Sequence, residues 1–196
     1  MRTKTKVMRL IIYVLTCLSI VACSEPVDYT FGFSAEESNR FYLVTAEFDD
    51  YMNVPAGVIG CCLASGGASA SMFPEKYPKK GYFVWYDKLT ESYYRAYLTY
   101  PDNIKTIADE LGDLVYWKDG STSHKSVYLI TSITSNNEAI TWLSNTMRNS
   151  KALTKRELVE LDRAKGESFV PEFIKERRRK KVLEAKKTSE IKEEVY

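Results

Sequence analysis

The stretch Gly81-Tyr82-Phe83-Val84-Trp85-Tyr86-Asp87-Lys88, then Leu89-Thr90-Glu91, then Ser92-Tyr93-Tyr94-Arg95-Ala96-Tyr97-Leu98-Thr99-Tyr100, decides the fold class. Each long half alternates at period two, the spacing of a strand whose successive side chains point to opposite faces. Tyr82, Val84 and Tyr86 face away from Phe83 and Trp85, and Tyr94, Ala96 and Leu98 face away from Tyr93, Arg95 and Tyr97. So short a link predicts an antiparallel hairpin, in which each cross-strand aromatic pair contributes about 0.2–1 kcal/mol. Tyrosine suits a half-buried strand, so the ladder reads first as sheet core with one amphipathic face. A platform for glycan or peptide is its functional alternative.

Downstream, Ile104, Ile107, Ala108 and Leu111 recur at the spacing of a helix face, with Asp102 or Asn103 to cap its start and Gly112 to end it. Strands resume at Leu114 to Trp117, Lys125 to Ile133 and Glu138 to Leu143, separated by Lys118-Asp119-Gly120-Ser121 and Ser135-Asn136-Asn137. Upstream, Phe41 to Ala46 also alternates, until Asp49, Asp50 and Asn53 break it. At the other end, Thr154 and Glu157 make a capping box, with Leu153 and Leu158 as its staple, predicting a helix from there to Gly166. Pro171 opens a second helix, whose run Lys175 to Lys181 leaves no apolar stripe and reads as a solvated face or a site for anionic lipid or an acidic partner. Together these predict an α+β fold: a mostly antiparallel β-sheet or sandwich with one short inserted helix and a C-terminal helical extension.

Charge is uneven along the chain. Residues 23–150 hold ten basic against sixteen acidic side chains, and residues 151–196 fourteen against ten. An acidic body with a basic tail lacks the basic face of a nucleic-acid binder.

The N-terminus follows the plan of an export signal: Arg2, Lys4, Lys6 and Arg9, then an apolar run from Leu10 to Val21, too short to span a bilayer. Ile20-Val21-Ala22-Cys23 resembles the lipobox of bacterial lipoproteins. That resemblance implies lipidation of Cys23 and removal of residues 1–22, with acyl chains such as palmitate holding the protein to the membrane. Ser24 at the next position resembles the outer-membrane class, which implies a protein of the bacterial cell envelope anchored in the outer membrane and facing the periplasm. The expected organisation is a signal peptide over 1–22, a polar tether over 23–40 that could instead form a weak first strand, an antiparallel β-rich domain over 41–150 and a charged helical extension over 151–196.

Gly57 to Phe73 holds small residues almost throughout. No Lys-Ser/Thr pair follows its glycines, so it is no phosphate-binding loop; it predicts a buried strand, Val58 to Ala64, and a Gly66-Gly67 turn. Cys61 and Cys62 are the remaining thiols once Cys23 is acylated. Adjacent Cα atoms sit closer than a disulfide prefers, so the pair reads as two small buried thiols, with a redox switch, a soft-metal site or a link to a partner as alternatives.

The one histidine, His124, has no Gly-x-Ser-x-Gly elbow beside it, and one His with two adjacent Cys does not complete a zinc site. Asp49, Asp50, Asp87, Glu91 and Asp113 could supply a carboxylate pair, as any acidic domain could. The expectation is a protein that is not an enzyme and carries no catalytic, cofactor or metal residues.

A broader resemblance runs from Ala56 to Leu143. The Gly-rich segment, Pro78-Lys79-Lys80-Gly81-Tyr82-Phe83-Val84-Trp85-Tyr86, Tyr93-Tyr94-Arg95-Ala96 and Ile140-Thr141-Trp142-Leu143 resemble a family of bacterial envelope lipoproteins of uncharacterised function, the domain-of-unknown-function 2931 lipoproteins. It implies no functional residue. The expected function is a membrane-anchored periplasmic lipoprotein acting as a protein-binding module, with immunity against a secreted toxin as its specific form. A structural or assembly accessory of the envelope is the alternative. Its partners are then the membrane through Cys23 and a periplasmic protein, not nucleic acid.

Overall fold

The computed structural model describes residues 27–55, 57–72, 74–115, 122–123, 126–147 and 156–194. In chain order the elements are β1 (Tyr29–Ala35), β2 (Phe41–Phe48), β3 (Met52–Asn53), β4 (Gly57–Val58), β5 (Ala68–Met72), β6 (Lys80–Asp87), β7 (Ser92–Thr99), α1 (Ile104–Glu110), β8 (Leu114–Val115), β9 (Thr122–Ser123), β10 (Val127–Ile133), β11 (Glu138–Ser144), β12 (Leu158–Lys165), β13 (Glu167–Phe169) and α2 (Glu172–Glu194).

Two sheets carry the molecule. The first runs β12-β11-β10-β1-β5, and the second runs β13-β7-β6-β2-β3 with β4 also on β2. The fold is the expected α+β arrangement, and among the described strands one pair runs parallel, β1 with β10, from Tyr29 opposite Val127 to Ala35 opposite Ile133. No short hairpin joins these two strands, so nothing local forces them antiparallel. Between the sheets lies an aromatic core: Phe31 sits 4.3 Å from Phe48, and Phe48 5.5 Å edge-on to Phe83. Leu129, Leu143 and Trp85 complete it.

Three sequence readings are corrected. Residues 23–40 are not simply a tether, because from Tyr29 onward they form β1, in the interior of the first sheet. Tyr29, Phe31, Phe33 and Ala35 are buried at period two, a short alternation set among the acids Glu25, Asp28, Glu36 and Glu37. The segment Gly57 to Phe73 does not run as a buried strand over Val58 to Ala64. Val58 is exposed, Ile59 and Ala64 are buried, and the strand comes later as β5, paired with β1.

The predicted helix starting at Thr154 is not formed over Leu158–Lys165, which is β12, an edge strand on β11. Its register slips between Thr141 and Trp142, so Leu161 is an extra residue opposite that step. The slip turns both Leu161 and Ala164 toward the core. A bulge thus gives a strand the three-residue spacing that imitates a helix face. Glu157 does not close a capping box: its carboxylate accepts from Gly112 N at 2.7 Å and its own N–H donates to Asn145 Oδ1 at 2.9 Å. Thr154 and Leu153 lie outside the described residues.

After β12 the chain passes through Gly166 into β13 and so crosses from the first sheet to the second. Gly166 N donates to Asn137 O at 2.7 Å, and a Cβ there would come within 2.5 Å of the Trp85 ring. Only glycine fits this crossing.

Candidate interaction surface

Alternation along the second sheet puts one set of rings inward and another outward. Phe83, Trp85, Ala96 and Leu98 fill the core. The opposite face carries Tyr42 of β2, Tyr82 and Tyr86 of β6, and Tyr93 and Tyr97 of β7, aligned by register into cross-strand rows. Tyr42 stands opposite Tyr86 and Tyr86 opposite Tyr93; Tyr82 stands opposite Tyr97. Tyr82 and Tyr97 stack at 4.6 Å and Tyr86 lies 4.9 Å from Tyr93. Tyr97 is 66% exposed, Tyr42 44% and the neighbouring Val58 54%. Burial pushes the Tyr82 phenol above its ordinary range, and Tyr97 alongside adds to the shift.

Between the two rows lies Arg95, whose Nε and Nη2 donate to Glu167 Oε2 at 3.1 and 3.0 Å and whose guanidinium sits 5.1 Å over the Phe169 ring. At the border of the face α2 begins, with Phe173 edge-on to Tyr93 at 5.7 Å. The helix then presents Arg177 to Lys181 to solvent.

The rows are held in place by a buried joint at the end of β6. Asp87 is 0% exposed and takes a bidentate ion pair from Arg40, at 2.9 Å to Oδ1 and 2.8 Å to Oδ2. Leu89 N donates to Oδ1 at 3.0 Å and Asn137 Nδ2 to Oδ2 at 3.3 Å, while Trp85 Nε1 donates to Asn137 Oδ1 at 3.1 Å. Burial alone would raise the Asp87 carboxyl, but the guanidinium and the amide donors outweigh it and hold the group at about 2. Asn137 belongs to the β10–β11 turn, so this network ties the first sheet to the second.

Of the residues singled out from the sequence, Cys23 and His124 lie outside the described residues. Cys61 and Cys62 are exposed, which corrects the buried-thiol reading, and a disulfide joins them. The burial expected from their apolar neighbours goes instead to Ile59 and Ala64. Asp49 accepts from the N–H groups of Lys79 and Lys80 at 2.9 and 3.1 Å, at the opposite end of β6 from Asp87. Eight residues of strand, on the order of 20 Å, keep those two carboxylates apart. Among the described residues no group of three or more His, Cys, Asp or Glu side chains is placed to hold a metal, and no helix is long and apolar enough to cross a membrane. The Arg40–Asp87–Asn137–Trp85 network was not foreseen, since its members are 40 to 137 in sequence and no local pattern joins them. Compared with protein-family models, curated proteins and solved structures, the chain matches none.

Proposed function

We propose that the chain is a lipid-anchored protein-binding module of the bacterial cell envelope, and that its specific task is immunity against a toxin delivered to the periplasm. The observation that carries this reading is the tyrosine face. Five rings aligned on a rigid sheet offer large amphipathic area at little side-chain entropy cost, and tyrosine is enriched at protein interfaces for that reason. The basic helix beginning at its border favours a partner with an acidic surface, which the charge would steer toward the face. In this reading Cys23 carries the lipid, and the segment between it and β1 leads the body off the membrane.

A strain lacking this gene alone should become sensitive to toxin-bearing siblings, and one lacking it together with its neighbouring gene should lose the toxin with the defence. Protection should return with the unaltered gene and with Tyr51→Ala, an exposed ring in the β2–β3 turn, but not with Tyr82→Ala/Tyr97→Ala. Absence of any sensitivity would sink the immunity reading. Specific crosslinking of the tyrosine face to an envelope complex would replace it with the accessory role.

A further inference from the structure

The loop bearing Cys61 and Cys62 is pinned on both sides. Upstream, Ile59 is fully buried and Gly60 O accepts from Ala35 N at 2.8 Å. Downstream, Ala64 N donates to Ser132 Oγ at 2.9 Å, Ser132 Oγ lies 2.6 Å from Ser34 Oγ, and Gly66 N donates to Met147 O at 3.1 Å. Within the loop, Cys62 N donates to Ser65 Oγ at 2.8 Å and Ser65 N to Cys62 O at 2.9 Å. Between these fixed points both cysteines are exposed.

Such a disulfide does little for stability. A cross-link stabilises chiefly by closing a long loop in the unfolded chain, and two adjacent residues enclose none. Exposed disulfides are, as a class, the labile and catalytic ones. A cation is also held against the same loop. Arg156 Nη2 donates to Ala64 O, two residues after Cys62; burial lowers the Arg156 pKa; and its buried Nε has no hydrogen-bond partner. No carboxylate among the described residues pairs with it. A nearby cation favours a thiolate over a thiol, and a stabilised thiolate leaves faster in exchange. Position also fits. Cys61 bridges to Ala35 at the far end of β1, seven residues or on the order of 20 Å from the end where the chain enters at Val27.

We propose that Cys61–Cys62 is a thiol–disulfide exchange site that accepts two electrons from the dithiol of a partner protein. A thiolate of the partner attacks one sulfur, the Cys61–Cys62 bond breaks, a mixed disulfide forms, and the other cysteine leaves as a thiolate that takes up a proton. The partner's second thiol, losing its proton, attacks the mixed disulfide and releases the remaining cysteine, which is protonated in turn. The partner ends oxidised, and Cys61 and Cys62 end as two thiols.

The test uses the full chain purified oxidised, with a thioredoxin-type dithiol protein as the probe. Alkylation and peptide mass mapping should find Cys61 and Cys62 unmodified before the probe is added and both alkylated in the still folded protein afterwards. A probe lacking its second cysteine should accumulate the mixed disulfide. Cys61→Ser/Cys62→Ser should keep the thermal midpoint and form no mixed disulfide, and Arg156→Met should slow exchange at least fivefold, with Arg156→Lys restoring most of the rate. Alkylation of Cys61 and Cys62 before any reductant, or their reduction only after denaturation, would overturn the site. If Arg156→Met unfolds the chain, trapping on the unaltered protein decides alone, and no mixed disulfide there overturns it equally.

Discussion

The outer faces of the two sheets are built on opposite terms. On the first sheet Gly32, Ser34, Ser132, Ile140 and Trp142 are small or apolar, and the chain covers them itself with Ala64, Gly66 and Met147. On the second, five tyrosines line the face, Tyr42 and Tyr97 exposed and the other three half-buried, and among the described residues Phe173 reaches one of them, Tyr93. A face sealed by its own loop needs small residues so that backbone can approach backbone, and it passes its rigidity to that loop. A face left open needs rings that tolerate both solvent and contact. The sealed face therefore contributes a fixed, chemically reactive rim at Cys61 and Cys62, and the open face contributes area.

Both faces depend on the joint at Asp87, so breaking it is the largest expected effect. Arg40→Ala leaves a buried carboxylate without its cation, which costs about 3–5 kcal/mol when one partner of a buried pair is removed. Chemical denaturation should register that loss. Since Asn137 links the joint to the first sheet, disulfide exchange and tyrosine-dependent binding should fail together. A variant that kept wild-type stability would mean that the two faces are held by the aromatic core alone.

Much of this division was legible in the sequence, and the failures share one cause. The hairpin Gly81 to Tyr100 could be read because its alternation is long, aromatic and closed by a three-residue link. β12 could not, since the bulge opposite Thr141 and Trp142 gives Leu161 and Ala164 a spacing of three, and a bulge shows only against the strand it pairs with. β1 read no stronger than a tether or a weak strand because four acids, Glu25, Asp28, Glu36 and Glu37, flank a short aromatic alternation. The exposure of Cys61 and Cys62 was hidden because the groups that pin their loop, Ser132 and Arg156, lie 68 and 92 residues from Ala64. Alternation identifies two faces of a strand; which one stays open depends on what another part of the chain brings to cover it.

Next in size is a change confined to the sealed face. A Cβ at Gly66 would overlap the Met147 side chain, so Gly66→Val should lift the loop at a cost of about 1–3 kcal/mol, the usual range for overpacking. Proteolysis or hydrogen exchange should show Ile59 to Gly67 opening while the tyrosine face keeps its binding. Equal losses on both faces would erase the distinction between them.

Acid acts on the joint and leaves the loop's hydrogen bonds alone. The Asp87 carboxyl titrates at about 2 in the folded protein and near 3.8 in an unperturbed chain, so its contribution is complete above roughly pH 4 and is lost as pH falls through 2. Asp87 should contribute about 2 kcal/mol to the loss of stability across that window, and Asp87→Asn should lose that much less, since Glu36 and Glu160 are also held below the ordinary carboxylate range. A denaturation series from pH 5 to pH 2 separates the two outcomes.

The smallest stability change should accompany the largest functional one. Tyr97→Ala removes one partner of the 4.6 Å stack with Tyr82, a cross-strand pair contributing no more than about 1 kcal/mol, and 66% of that residue is already in water. Its thermal midpoint should therefore shift by only a few degrees, whereas a ring at the centre of an interface often accounts for 2 kcal/mol or more of binding, roughly a thirtyfold weakening. If calorimetry instead finds the fold weakened as much as by Gly66→Val, the tyrosine rows belong to the framework of the sheet, and the open face is open only because nothing was needed to cover it.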